Sequence, residues 1–221
     1  VDKANDVVYW GLERVGWIGF SNKLKSSWIV SGDPIMAGGN LYGADILPRK
    51  GKPSLVAAAD NNTGQVFLMD TTFQHATVLR TPKAQPYADG KGFAPTDVAF
   101  QDDKTVWVTD GYGRAWFMPA TVEPFEYAGS FFGGKSFSGT PHGISYDAKT
   151  KSMLVSARPE GQVKQFDLKH EHLEAIDGLP AGSTVCDVDI WGDYALAPCL
   201  DGANRASGPI YIINLRKRAV V

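Results

Sequence analysis

The amino-acid sequence predicts an all-β fold: a β-propeller of four-stranded antiparallel blades, with about five blades present. Three observations carry that prediction. A glycine-led extended segment recurs at Gly16, Gly64, Gly113, Gly161 and Gly208, at intervals of 48, 49, 48 and 47 residues. Apolar runs flank every copy, and none repeats with a helical period. The 24 Gly and 13 Pro are frequent enough to punctuate many short strands.

The glycine-led segments, residues 16–22, 64–70, 113–119, 161–167 and 208–214, read as the third strand of each unit. Each ends on Asn, Asp or Pro (Asn22, Asp70, Pro119, Asp167, Asn214), residues that start turns. A second strand precedes each: residues 7–10, 55–59, 105–109, 153–157 and 194–199. Shorter outer strands follow, as at 27–30 and 76–79. Ahead of four copies an inner strand begins, at Ala44, Thr96, His142 and Cys186. Units of about 40–50 residues with four strands are propeller blades. The blades fall at about residues 1–30, 41–80, 93–131, 140–177 and 183–221 of a single 1–221 domain. The first repeat lacks its innermost strand, and no leftover strand completes it. About one blade is therefore expected to be lacking from a six-bladed parent, with a five-bladed ring as the alternative.

Composition narrows the function classes. A hydrophobic fraction of 43% supports a sizeable core. The 22 Lys and Arg against 24 Asp and Glu give no electrostatic footprint for nucleic acid or an anionic membrane. No apolar run approaches the roughly 20 residues that span a bilayer. The chain opens on Val1 with no signal peptide, which reads as a processed chain or a fragment. Cys186 and Cys199 fall in adjacent strands of one repeat, where a disulfide and a pair of buried thiols are both open. The pair tilts the expected location toward an oxidising compartment, periplasmic or secreted.

Residues 95–100 (Pro-Thr-Asp-Val-Ala-Phe), 106–113 (Val-Trp-Val-Thr-Asp-Gly-Tyr-Gly), 141–144 (Pro-His-Gly-Ile) and 155–163 (Val-Ser-Ala-Arg-Pro-Glu-Gly-Gln-Val) carry a family resemblance. The repeat resembles the NHL-type propellers, and within them the peptidyl-α-hydroxyglycine α-amidating lyase domain. The likeness is dense between about residues 95 and 166. It implies that Tyr112 matches the lyase's active-site tyrosine, His142 one of its zinc-binding histidines and Arg158 the arginine of the following turn. The family holds zinc through three histidines on different blades. Here Ala44 stands at the corresponding position of the second repeat, so zinc is not expected on this chain alone. The family also carries a channel calcium ion.

Other constellations were weighed on their chemistry. His142 opens an inner strand and should face the central channel, as a ligand, a general base or a histidine satisfied by a neighbouring blade. One residue further, Asp45, Asp97 and Asp187 should converge on the axis, with Gly143 in the fourth copy. Such carboxylates either hold a hard cation such as Ca²⁺ or accept N–H groups of neighbouring strands. Residues 129–136 match the P-loop pattern, but residues 137–141 cannot open the helix that the motif needs. His170, Glu171 and His172 read as a solvated turn. Trp107, Trp116 and Phe67 lie inside strands and should be core, as should most tryptophans, whereas Trp10, Trp28 and Trp191 are less constrained. The longest polar loops are 83–92 and 201–208.

Asn61, Asn62, Tyr112, Arg158, Glu160, Asn204 and Arg205 all fall in turns between second and third strands, which symmetry gathers on one face. The favoured function is a binding scaffold for a protein, peptide or small ligand on that loop face, or a subunit of a larger complex. The alternative is a metal-dependent lyase or hydrolase at the channel mouth, using Tyr112 as acid/base, Arg158 to orient an anionic group and His142 to hold a metal or proton.

Overall fold

The computed structural model describes residues 1–12, 16–21, 23–30, 32–167, 169, 172–176, 178–205 and 207–221; the side chains of residues 29, 30, 172, 173 and 204 are not described. His170 and Glu171 and the side chains of His172 and Asn204, singled out above, therefore lie outside the described residues.

Five antiparallel sheets follow one another along the chain and are arranged as a propeller. Blade 1 contains β1 (Val7–Leu12), β2 (Gly16–Ser21) and β3 (Ser27–Val30). Blade 2 contains β4 (Leu41–Leu47), β5 (Leu55–Asp60), β6 (Gln65–Asp70) and β7 (Thr77–Leu79). Blade 3 contains β8 (Asp97–Phe100), β9 (Thr105–Asp110), β10 (Trp116–Thr121) and β11 (Glu126–Tyr127), and a fifth short strand, β12 (Phe132–Gly133), also pairs with β10. Blade 4 contains β13 (Pro141–Asp147), β14 (Ser152–Ala157), β15 (Gln162–Phe166) and β16 (His172–Ala175). Blade 5 contains β17 (Asp189–Trp191), β18 (Tyr194–Pro198), β19 (Ile210–Asn214) and β20 (Ala219–Val220). Strand order within every sheet follows the chain, as tight hairpins dictate.

Among the described residues blade 1 has three strands, without the inner one, as its repeat predicts. Two expectations shift. The inner strand of blade 5 starts at Asp189 rather than at Cys186; before it only the bridge between Val185 and Cys199 forms. The Asp187 carboxylate takes the Val188 N–H (2.7 Å), which removes that donor from a ladder. Residues 134–136 form one 3₁₀ turn, too short to offer a phosphate-binding helix end.

The core sits between blades rather than within them. Four buried clusters mark four junctions: Trp17 with Phe67 and Phe73 between blades 1 and 2, Leu68 with Val98 and Met118 between 2 and 3, Phe117 with Phe166 between 3 and 4, and Leu154 with Val188 and Ile213 between 4 and 5. Strands sandwiched this way need apolar residues on both faces, so runs such as Val-Phe-Leu-Met at 66–69 do not alternate with polar residues. Each large side chain so buried contributes roughly 1.5–3 kcal/mol. The tryptophans divide evenly, against the expectation that most are core. Trp10, Trp28 and Trp191 are 65%, 41% and 73% exposed, because the faces that carry them pack on no neighbouring blade or lie at a blade edge. Cys186 and Cys199 are free thiols. Among the described residues no helix is long and apolar enough to cross a membrane.

Candidate functional site at the channel mouth

Blades 3 and 4 meet closely where the Asp110–Tyr112 turn abuts the start of β13. The Asp110 carboxylate accepts the N–H groups of Ala94 (2.7 Å) and Arg114 (2.6 Å) and the Tyr87 hydroxyl, which pins the turn. Gly111 allows the approach, since a Cβ there would lie 2.3 Å from the Pro141 carbonyl. Tyr112 consequently projects over His142 of the next blade. The Thr96 hydroxyl donates to the His142 carbonyl (2.8 Å) and fixes the strand that carries the imidazole.

The three predicted residues come together. The Tyr112 hydroxyl lies 3.1 Å from His142 Nε2 and accepts a hydrogen bond from Arg158 Nη1. The guanidinium also lies over the Tyr112 ring, 5.9 Å from its centroid. Arg158 reaches there from a 3₁₀ turn, Arg158–Glu160, anchored by its own N–H to the Thr140 carbonyl (3.0 Å).

A fourth member, Tyr42, was missed from sequence. Its hydroxyl is 2.9 Å from that of Tyr112, and its ring packs edge-on against both Tyr112 and His142. The miss has a geometric cause. Both β4 and β13 carry a bulge, between Leu41 and Ala44 and between Pro141 and Ile144. Matching the bulges makes Tyr42–Gly43 the equivalent of His142–Gly143, so Tyr42 rather than Ala44 holds the histidine's place. A Gly after each aromatic was the signal available. Gly143 is required because a Cβ would sit 2.3 Å from Asp187 Oδ1.

Proton positions follow from what each partner can do. His142 Nδ1 faces the Cys186 carbonyl at 2.6 Å, which only accepts, so Nδ1 carries the hydrogen. Nε2 then accepts from Tyr112, and Tyr112 in turn accepts from Tyr42 and Arg158. Burial holds the imidazole neutral, with its pKa lowered to about 4, and nearby Arg158 adds to that shift. Burial pushes the Tyr112 phenol up to about 12. Among the described residues Arg158 has no carboxylate partner: neighbouring Glu160 pairs with Lys164. The mouth thus presents one unneutralised cation, two tyrosines that remain about two-fifths exposed, and a neutral imidazole.

Beneath it lie the channel carboxylates. Asp97 aligns with Gly143, whereas the bulge places Asp45 two residues beyond that level, which corrects the single column expected from spacing. Asp45 accepts the N–H groups of Ile46 (2.7 Å) and Phe100 (2.7 Å), and Asp97 that of Ile144 (2.8 Å). These are inter-blade clamps. Asp97 and Asp187 lie close enough for each carboxylate to act on the other's charge. Burial raises the carboxyls of Asp45 and Asp97, and the neighbouring Asp187 raises Asp97 further. Burial also pushes Asp187 up to about 6, with Asp189 adding to it; its side chain keeps contact with channel solvent all the same.

Both His142 ring nitrogens face protein partners, and Asp45, Asp97 and Asp187 each accept at least one backbone N–H group. Among the described residues no three His, Cys, Asp or Glu side chains gather as metal ligands. The remaining face residues stay apart from the cluster. Asn61 and Asn62 belong to the blade 2 turn, and Glu160 holds the Ser138 N–H (2.7 Å). Arg205 lies in the 201–208 loop, within blade 5, while the 83–92 loop joins blades 2 and 3.

No family model matches the chain, and no curated protein matches it. Among solved structures it is similar to the WD40 repeats of RRP9, with a TM-score of 0.71 at 12% identity, over all of this chain and 60% of that one. It is equally similar to U3-55K, with a TM-score of 0.70 at 12% identity, over all of this chain and 61% of that one. The chain thus spans about three-fifths of the structures it matches. Neither is an NHL-type propeller or an amidating lyase, so the solved neighbours differ from the family that the motifs resemble. At such identity the likeness is one of fold: the chain is a five-bladed β-propeller.

Proposed function

We infer that this chain is a propeller binding module that seats an anionic group of a peptide or protein ligand at its channel mouth. One observation carries the reading: Arg158, uncompensated by any carboxylate among the described residues, converges with the hydroxyls of Tyr112 and Tyr42 on one point. A carboxylate arriving there would accept from the guanidinium, and from Tyr42 once that hydroxyl turns away from Tyr112, and charge-assisted hydrogen bonds are the strong ones. WD40-like architecture supports a protein-binding role, because rigid blades hold loops in place while the loops vary.

The test is a peptide array scanned with the folded chain, each peptide made with a free and an amidated C-terminus and with and without Asp or Glu. Binders should require a carboxylate, and Arg158→Gln should weaken them by about tenfold or more, the worth of one charged hydrogen bond. Binding indifferent to both carboxylate and Arg158 sinks the reading.

A second reading, a lyase or hydrolase at the same mouth, is favoured by the contact between Tyr112 and the neutral His142. Tyr112 would move a proton, with Nε2 of His142 as its acceptor. Turnover abolished by Tyr112→Phe, with carboxylate binding retained, would put this reading first.

A further inference from the structure

A closed ring of five blades needs five packed junctions, yet the described residues form four core clusters, and none joins blade 5 to blade 1. The outward face of blade 5 shows what is lacking. Residues directly opposite across its ladders share a face: Trp191 with Tyr194, Leu196 with Ile212, and Pro198 with Ile210. On that face Trp191 is 73% exposed, Ile210 65%, Ile212 47% and Leu196 44%. The opposite face, with Ala195, Ala197 and Ile213, is buried on blade 4. Apolar groups at the same strand positions in blades 2 to 4 pack on the next blade, so this surface continues an interface already formed four times.

Blade 1 presents the other side of the same gap. Val8, Trp10, Ile18 and Phe20 pair up on the face turned away from blade 2, and Trp10 is 65% exposed. Among the described residues its innermost strand β1 is bridged on its inner side only at Val7, by Asp2, whereas β5, β9, β14 and β18 each pair with a strand nearer the axis. An open edge flanked by apolar faces is a template for one more strand. That slot lies at the hub, where the inner strands β4, β8 and β13 contact one another, so a second folded copy could cover blade 5 but not reach β1.

We propose that a sixth four-stranded β-sheet, carried by the same polypeptide, packs between blade 5 and blade 1, and that a strand from it or next to it pairs with β1. Such a sheet buries both apolar faces at once and closes the ring. The side chains of the mouth cluster come from blades 2 to 4, with one backbone carbonyl from blade 5, and do not depend on it.

The experiment compares hydrogen exchange, peptide by peptide, in the complete polypeptide expressed from its gene and in residues 1–221 alone. The complete polypeptide should slow exchange in β1, β18 and β19 at least tenfold, with blades 2 to 4 little changed. Ile210→Asp should undo that protection in the complete polypeptide and leave residues 1–221 as they were. Equal exchange in the two samples overturns the proposal, as does a gene product of 221 residues. So does a concentration-dependent dimer of residues 1–221 that protects the same strands.

Discussion

Blades 4 and 5 have the same strand order and similar lengths, yet β14 is buried at all six positions while β18 alternates between exposed and buried. The sequences do not announce this difference. Ile210–Asn214 is as apolar as Gln162–Phe166, and more so than a half-solvated strand requires. Apolar character states what a strand needs, and the neighbouring blade decides whether the need is met. Blade 4 has a neighbour on each side. Blade 5 has one.

The sharpest way to break the comparison is to truncate one apolar side chain in each. Phe166 is fully buried, with its ring 4.9 Å from Phe117 and 5.5 Å from Phe137. Phe166→Ala should cost about 3–5 kcal/mol in urea unfolding, as cavity-forming truncations do. Ile210→Ala in residues 1–221 should cost under about 1 kcal/mol, since its site is already wet. Equal costs would show that blade 5 is covered in solution.

Acid titration separates the two blades by sign. His142 of blade 4 is held near pKa 4 by burial, below its ordinary 6.5, so the unfolded chain binds its proton first. Its contribution is intact above pH 6.5 and is lost as pH falls toward 4, at most roughly 3 kcal/mol. Asp187 of blade 5 is raised to about 6 from 3.8, so its folded form gains the proton first. Its contribution is fully present below pH 3.8 and is lost as pH rises through 6. Over pH 4–6 the two oppose each other. In His142→Gln stability should rise as pH falls through that window, and in Asp187→Asn it should fall more steeply than in the parent. Parallel profiles for both variants would contradict the assignment.

A finer change probes the mouth alone. Tyr112→Phe removes the donor to His142 Nε2 and with it a preference for the neutral imidazole. The His142 midpoint, followed by NMR, should climb from about 4 by roughly one unit or less, the worth of one hydrogen bond. No movement, or a fall, would mean that Tyr112 does not donate there.

Much of this was legible along the chain. Strands are local objects, and the glycine period exposes their repetition, so the five sheets follow from spacing, whereas Tyr112, His142 and Arg158 were picked out together by the family resemblance. Tyr42 was hidden because a bulge adds a residue to β4, so simple spacing put Ala44 in the histidine's place. Trp10, Trp28 and Trp191, which the sequence marks as less constrained, are the exposed ones; what stayed hidden is the cause, because a β-strand pattern does not say which of its faces has a partner.

What the residues determine alone is the order and pleat of the strands and the turns that carry polar groups to one face. Hydrogen bonding and apolar periodicity act over a few residues, so the chain encodes them directly. Tertiary packing decided the rest: which carboxylates come together, which hydroxyl meets a histidine on another blade, and which apolar face stays open. These depend on contacts between residues tens of positions apart, such as Tyr42 and Tyr112, whose meeting is set by how one blade seats on the next.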